Sequence, residues 1–296
     1  MGIQPAVDPN NGKAQGVFRL QRSIDANTQT RSSARANRHD RDIIRPNYQI
    51  LANTAVTWVL FKGETAVGVD FVGEQGAPNG SLMARKKVIL AAGAVHTPQI
   101  LQLSGLGDAK VLRKLGIRTI WCGQRKAMLE DIDSTVVGGS SWNTGPKTSI
   151  YMTRPFSRGS IKVTSRSILD APLIDYGALT DSTDLEILYA MYMGTRELML
   201  TPDIAVLGPI ETAPAPGTTP HEGAVKDAVM RALAPSSAHQ CRTAPMMKRE
   251  DGGVVGAQNR VHATKRLSVV MRVFGRLSWV AGLRQASMQV LRRLQT

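Results

Sequence analysis

The sequence predicts a mixed α/β (α+β) fold, and three features carry that reading. Val88-Ile89-Leu90 is a short apolar run of strand type that passes through the nearly side-chain-free Ala91-Ala92-Gly93-Ala94 into a helix-forming stretch. Gln49 to Phe61 and Thr65 to Val72 are rich in β-branched and aromatic residues, and Lys62-Gly63-Glu64 between them is a turn of hairpin length. Within Asp181 to Leu200, the residues Leu185, Leu188, Met191, Tyr192 and Leu198 recur at the spacing of one helix face.

In chain order, Met1 to Arg45 is polar and rich in Asn, Arg and Ser, which predicts a surface-following or poorly ordered lead-in. The two strand-like segments follow, then a loop from Gly73 to Gly80 and the strand at Val88. Thr97 is expected to cap the next helix, Pro98 to take its first position, and Gly105 or Gly107 to end it. Val111 to Ile117 predicts a short helix stopped by Gly116. A Gly/Ser/Asn-rich linker between Asp133 and Thr148 precedes Ser160 to Ser165, which alternates as a strand. After the amphipathic helix comes a loop carrying Gly208, Pro214, Pro216, Gly217 and Pro220, then a second helix from Gly223 to Leu233. No internal repeat is visible.

With 296 residues, 42% of them hydrophobic, the chain can bury a substantial core. It contains no apolar run near the roughly 20 residues that span a bilayer. Met1-Gly2-Ile3-Gln4-Pro5 has no basic-then-apolar secretory pattern, so a cytoplasmic location is the default expectation. Cys122 and Cys241 have neither metal-ligand spacing nor the density of a disulfide scaffold, and read as free thiols, so no metal site is expected. The net charge of +14 is concentrated at the ends: no acidic residue follows Asp251, while Arg260, Lys265, Arg266, Arg272, Arg276, Arg284, Arg292 and Arg293 do. No nucleic-acid module or aromatic-interleaved basic stripe accompanies that charge, and specific nucleic-acid binding is not expected. Leu283 to Leu294 has the pattern of a basic amphipathic helix, read as packing on the protein rather than on a membrane.

The run Ala91-Ala92-Gly93-Ala94-Val95-His96-Thr97-Pro98-Gln99-Ile100-Leu101-Gln102-Leu103-Ser104-Gly105-Leu106-Gly107, with Ala84-Arg85-Lys86-Lys87 before it, resembles the second signature of the glucose-methanol-choline (GMC) family of flavin-dependent alcohol oxidoreductases. Arg31-Ser32-Ser33-Ala34, Arg45-Pro46-Asn47-Tyr48 and Asn53-Thr54-Ala55-Val56 resemble the family's approach to that strand. Ser157-Arg158-Gly159-Ser160-Ile161, His239 to Met246 and Gly252-Gly253-Val254-Val255 resemble its C-terminal half, in the family's order.

The resemblance implies FAD as cofactor, an alcohol as small-molecule substrate, and His239 as the catalytic residue that handles the hydroxyl proton. It places Val56, Ala92 and Gly93 at backbone positions beside the cofactor. The sequence also departs from the family. No Gly-x-Gly-x-x-Gly turn, which holds the FAD diphosphate in the family, precedes Arg31. Leu129-Glu130-Asp131-Ile132 resembles a degraded Leu-x-Asp-His, Arg242 replaces a glycine, Met271-Arg272-Val273 stands where the family has Asp-Ala-Ser, and Leu283 stands where a second catalytic His or Asn belongs.

These departures predict a partial FAD-binding domain lacking its N-terminal Rossmann unit, plus a reduced antiparallel-sheet substrate domain. The expected boundaries are 1–135 for the cofactor-domain remnant, 136–150 for a linker, 151–235 for the substrate domain and 236–296 for the return to the cofactor domain. An oligomer or a missing subdomain is the expected cover for the faces so left. The activity expected by resemblance is alcohol oxidation by hydride transfer to flavin, impaired in this chain. An inactive remnant or gene-model fragment and a non-redox, cyclase-like relative are the alternatives.

Overall fold

β-Branched residues recur in the first two strands of the computed structural model. The model describes residues 24–74, 79–121, 136–138, 150–152, 155–211, 221–233 and 242–270. In the polar lead-in a π-type turn, Arg35–His39, runs into a single helical turn, Asp40–Asp42 (α1), and neither buries a residue. Thr54–Lys62 (β1) and Thr65–Gly73 (β2) form the hairpin, and Gly80–Met83 (β3) adds to β2, giving an antiparallel sheet in the order β1-β2-β3. Gly63 has φ +61°, at the first of the two loop positions, as a tight hairpin turn demands.

The strand starts at Thr54 rather than near Gln49, although Gln49 to Asn53 continue the same polar-apolar content. Asn53 sits at φ +52°, a left-handed conformation through which no strand runs. Strand β3 lies in a stretch that the sequence marks only as the end of a loop. Its four residues are all exposed, so no apolar alternation announces them.

Val88–Leu90 (β4) pairs in parallel with Leu267–Val269 (β9), the register joining Val88 to Leu267 and Leu90 to Val269. Residues nearly 180 positions apart thus share one core. It comprises Val59, Ala66, Val88, Leu90, Ile100, Leu101, Leu106, Trp121, Ala244, Val254, Val255, Val261, Leu267 and Val269. Helix Gly93–Leu103 (α2) lies against β1 and against the strand Ser160–Lys162, and Ala109–Lys114 (α3) follows it. Both helices end in the same way. Gly105 at φ +85° lets the Leu106 N–H reach the Leu101 carbonyl at 2.9 Å, and Gly116 at φ +65° lets the Ile117 N–H reach that of Leu112 at 2.9 Å.

The start of α2 differs from expectation. The helix begins at Gly93, not after Thr97, and Pro98 lies inside it. Gly93 at φ +89° turns the chain straight from strand into helix without a capping side chain. Thr97 is buried, and its Oγ1 accepts the Ala92 N–H at 3.1 Å from within the helix.

The second part of the chain is built on Ser182–Met199 (α4), with Pro202–Ala205 (α5) after it and Glu222–Ala232 (α6) packed against it. Leu188 and Tyr192 of α4, Val225 and Val229 of α6, and Ile150 and Met152 form its core. Leu185 and Met191 pack at its edge, whereas Leu198, the outermost of the predicted stripe, is exposed. Val136–Gly138 (β5), inside the predicted linker, pairs antiparallel with Ile150–Met152 (β6). Ser160–Lys162 (β7) pairs with Leu173–Asp175 (β8), a strand too short and exposed to be seen in the sequence.

Asp181 caps α4 by accepting the Thr183 N–H at 2.9 Å, and Lys226 of α6 reaches Glu186 of α4 at 2.5 Å. The hydrogen bonds of Thr183 hold the Asp181 carboxyl below its ordinary range. A depressed carboxyl stabilises the folded chain above its unfolded pKa, about 3.9, and that contribution disappears as pH falls through the folded value. Asp181→Asn keeps the cap without the charge, so its acid-unfolding curve, followed by circular dichroism, should be less steep at the acidic end than that of the parent.

Gln102 of α2 joins the two parts, and Ser104 at the helix end ties it to β1. The Gln102 amide donates to the Ile161 carbonyl at 2.9 Å and accepts the Val163 N–H at 3.2 Å. Ser104 accepts the Val59 N–H at 2.8 Å while donating to Ile100 within its own helix at 2.6 Å. All four bonds are buried. Ser104→Ala would orphan the Val59 N–H and should cost about 1–3 kcal/mol, with Gln102→Leu costing at least as much because it orphans two backbone groups. Urea denaturation midpoints of both variants check this, and unchanged midpoints would refute it.

Candidate active site

Two parallel strands deliver the chain to one end of the β4–β9 pair. Beyond Leu90 the chain continues as Ala91-Ala92-Gly93, and the Val270 N–H donates to the Leu90 carbonyl at 2.9 Å as the chain leaves β9. Ala91 and Ala92 are exposed, whereas Leu90 is buried. The C-terminal ends of parallel strands are where α/β sheets bind ligands. Here that end offers backbone, two methyl groups and a glycine at φ +89°, followed by the positive end of an 11-residue helix with no side-chain cap. Among the described residues, the small side chains here leave the backbone open to close approach.

Of the residues singled out in the sequence, Ala92 and Gly93 lie at this end. Val56 lies on β1, half-buried and packed against the core that contains Leu90 and Val269. A bulge follows it: Val56 pairs with Phe71 and Trp58 with Asp70, leaving Thr57 as the extra residue with its Oγ1 buried and unpartnered. His239, Cys122, Cys241, Leu283, the Leu129-Glu130-Asp131-Ile132 segment and Met271-Arg272-Val273 lie outside the described residues.

His96, three residues after Gly93 in the signature, bonds along its own helix to Gln99. Gln99 Oε1 can only accept, so the His96 Nδ1 at 2.9 Å carries the hydrogen. That bond turns the Gln99 amide nitrogen to the carbonyls of Asp170 at 2.9 Å and Ile168 at 3.2 Å.

The segment after His239 is held by its own glycines. Gly252, at φ +85°, closes a turn that Arg249–Asp251 opens, and a Cβ on Gly253 would come within 2.1 Å of the Met247 carbonyl oxygen. This close approach lets the Pro245 carbonyl accept the Val254 N–H at 2.9 Å, and the His262 Nε2 adds a bond to the Met247 carbonyl at 3.0 Å. Ala244 and Thr243 are buried by the same contacts.

Arg242 has φ +63°, a left-handed conformation that suits glycine, the residue the resemblance implies at this position.

Sequence reasoning missed several residues that fix this geometry. Asp184, buried inside the apolar stripe of α4, accepts the N–H groups of Phe156 at 2.7 Å and Ser157 at 2.8 Å, while Ser157 Oγ accepts the Asp181 N–H at 3.1 Å. The Asp181-x-x-Asp184 spacing at a helix start was the available signal. Arg266 donates to the carbonyls of Ala84, at 2.8 Å, Arg85 and Lys86, pinning the approach to β4 from the approach to β9. Nothing local in the sequence marks that contact.

Family models described as GMC oxidoreductase match residues 1–128 and 155–270. The chain belongs to the GMC oxidoreductase family. Among curated relatives, the dehydrogenase xptC of Emericella nidulans is 31% identical over 91% of this chain and 61% of its own length. An oxygen-dependent choline dehydrogenase of Citrobacter koseri is 26% identical, again over 91% of this chain and 61% of its own length. The chain therefore spans about three fifths of the length of these relatives. An FAD-dependent oxidoreductase from Chaetomium thermophilum superposes with a TM-score of 0.89 at 26% identity, covering 98% of this chain and 68% of the other. These relatives imply FAD as the family's cofactor and support the mixed α/β class. Among the described residues no helix is long and apolar enough to cross a membrane.

At position 242, glycine should be better than alanine, because both lose the arginine side chain but only alanine keeps the left-handed penalty. Arg242→Gly should exceed Arg242→Ala by about 1 kcal/mol, the cost of one left-handed residue. Thermal melts of the two variants side by side give the ordering, and an alanine variant as stable as the glycine variant would count against it.

Proposed function

We propose that this chain serves an FAD-dependent oxidoreductase of the GMC type that acts on CH–OH groups, in an impaired form. The observation that carries the proposal is the exposed Ala91-Ala92 and left-handed Gly93 at the C-terminal end of β4 and β9, in a chain of this family. The names of its relatives, a dehydrogenase, a choline dehydrogenase and an FAD-dependent oxidoreductase, support the same reading. FAD, when bound, supplies the hydride acceptor. Ala92 and Gly93 would hold the ring against backbone, Val56 would back it from β1, and the N-terminus of α2 would favour negative charge on it.

The chain's own part in the reaction is the proton. Oxidising an alcohol removes a hydride from carbon and a proton from oxygen, and His239 takes the proton in this proposal. Imidazole suits that task because its ordinary pKa, near 6.5, lies close to neutral pH. Leu283, at the place of a second polar partner, has no lone pair and no proton to offer. Arg242, three residues after His239, adds bulk and positive charge that disfavours a protonated imidazole. Both support the impaired reading.

The 296 residues contain no Gly-x-Gly-x-x-Gly turn, so contacts to the diphosphate are weak in this proposal. The chain purified without added flavin should carry FAD well below one equivalent, measured by absorbance after denaturation; a ratio near one overturns this part. With FAD in excess, His239→Ala should lower any alcohol oxidation by about 10²–10⁴-fold, and Arg242→Gly should raise it more than Leu283→His. Rates with aryl and aliphatic alcohols measure the series. Equal rates for the parent and His239→Ala would remove the histidine from the mechanism.

A further inference from the structure

Parallel pairing places the starts of β4 and β9 together, at the end of the sheet remote from Ala92 and Gly93. There the approaches to the two strands enclose a cleft of about 690 Å³. Lys86, Lys87, Arg260, Lys265 and Arg266 line it, and among the described residues no Asp or Glu does. Among the described residues none of these five cations pairs with a carboxylate. Such a concentration of unneutralised charge is costly to assemble unless an anion relieves it.

The cleft is also held in shape. Arg266, at φ +61°, spends its guanidinium on the carbonyls of Ala84, Arg85 and Lys86, which fixes the loop that presents Lys86 and Lys87. Arg260 is steered by Gln258, whose Oε1 accepts from it at 3.0 Å. Asn259 lines the same wall at φ +59°, is 5% exposed, and has its Oδ1 buried with no hydrogen-bond partner among the described residues. A buried acceptor without a donor is uncommon in folded proteins.

We infer that this cleft binds a small polyphosphate, the phosphates meeting Lys86, Lys87 and Lys265. Three things favour a small polyanion over a nucleic acid: the site is concave, its volume is that of a small-ligand pocket, and no aromatic residue lines it for base stacking. The site is separate from the flavin-facing surface because it lies at the opposite end of β4 and β9.

Isothermal titration of the full chain with ADP, and with inorganic tripolyphosphate, tests the inference. Both should bind, ADP with an affinity that falls as salt rises and that is unchanged by saturating FAD. Lys86→Gln with Lys87→Gln should weaken ADP by about tenfold for each lysine removed. Lys265→Gln, on the other wall, should weaken it about tenfold by itself. The lysine side chains make no hydrogen bond or ion pair among the described residues, so thermal melts of these variants should match the parent; should the double variant not fold, Lys265→Gln alone decides. No binding of ADP, competition by FAD, equal binding by Lys265→Gln, or binding of duplex DNA in preference to ADP would each overturn the proposal.

Discussion

Everything in the described structure depends on α2 being polar on a buried side. An isolated helix between two sheets would bury only hydrocarbon, and its neighbours would slide. Here Gln102 supplies a donor and an acceptor to Ile161 and Val163, replacing the bonds that another strand would make to that edge. Ser104 does the same for Val59 of β1, and Gln99 for the loop at Ile168 and Asp170. Directional bonds fix register in a way that dispersion does not, because a shift of one residue would leave each partner buried and unsatisfied.

That arrangement changes what the signature of the family means. Of the residues from Ala91 to Gly107, most serve architecture: Thr97 braces the entry, Gln99, Gln102 and Ser104 reach out sideways, Ile100 and Leu101 fill the core, and Gly105 closes the helix. Ala91, Ala92 and Gly93 alone leave room beside the backbone at the strand ends. A motif is retained for the chemistry of a few positions and for the joinery of the rest, and the two demands fall on adjacent residues.

The parts legible in the sequence were those governed by local rules. The hairpin at Gly63, the stops at Gly105 and Gly116, and the helices at 182–199 and 222–232 follow from glycine and from apolar spacing. What escaped was non-local or exposed. Strands β3 and β8 bury too little to leave a pattern, and the N-terminal start of α2 depends on one dihedral at Gly93 rather than on a capping side chain. Asp184 and Arg266 act across large separations in sequence, where no window of residues reveals a partner. The family resemblance was legible because a long motif carries many such constraints at once.

Arg242 shows backbone strain held in place by its surroundings. A left-handed φ at an arginine costs about 1–2 kcal/mol relative to an ordinary conformation, and the Gly252-Gly253 turn, the Pro245 carbonyl and the buried Ala244 together hold the segment in place against that cost. Were the segment free to relax, the arginine would rotate into a right-handed well. The surrounding contacts are therefore stronger than the strain they contain, and a glycine at this one position releases that strain without requiring the described turn to move.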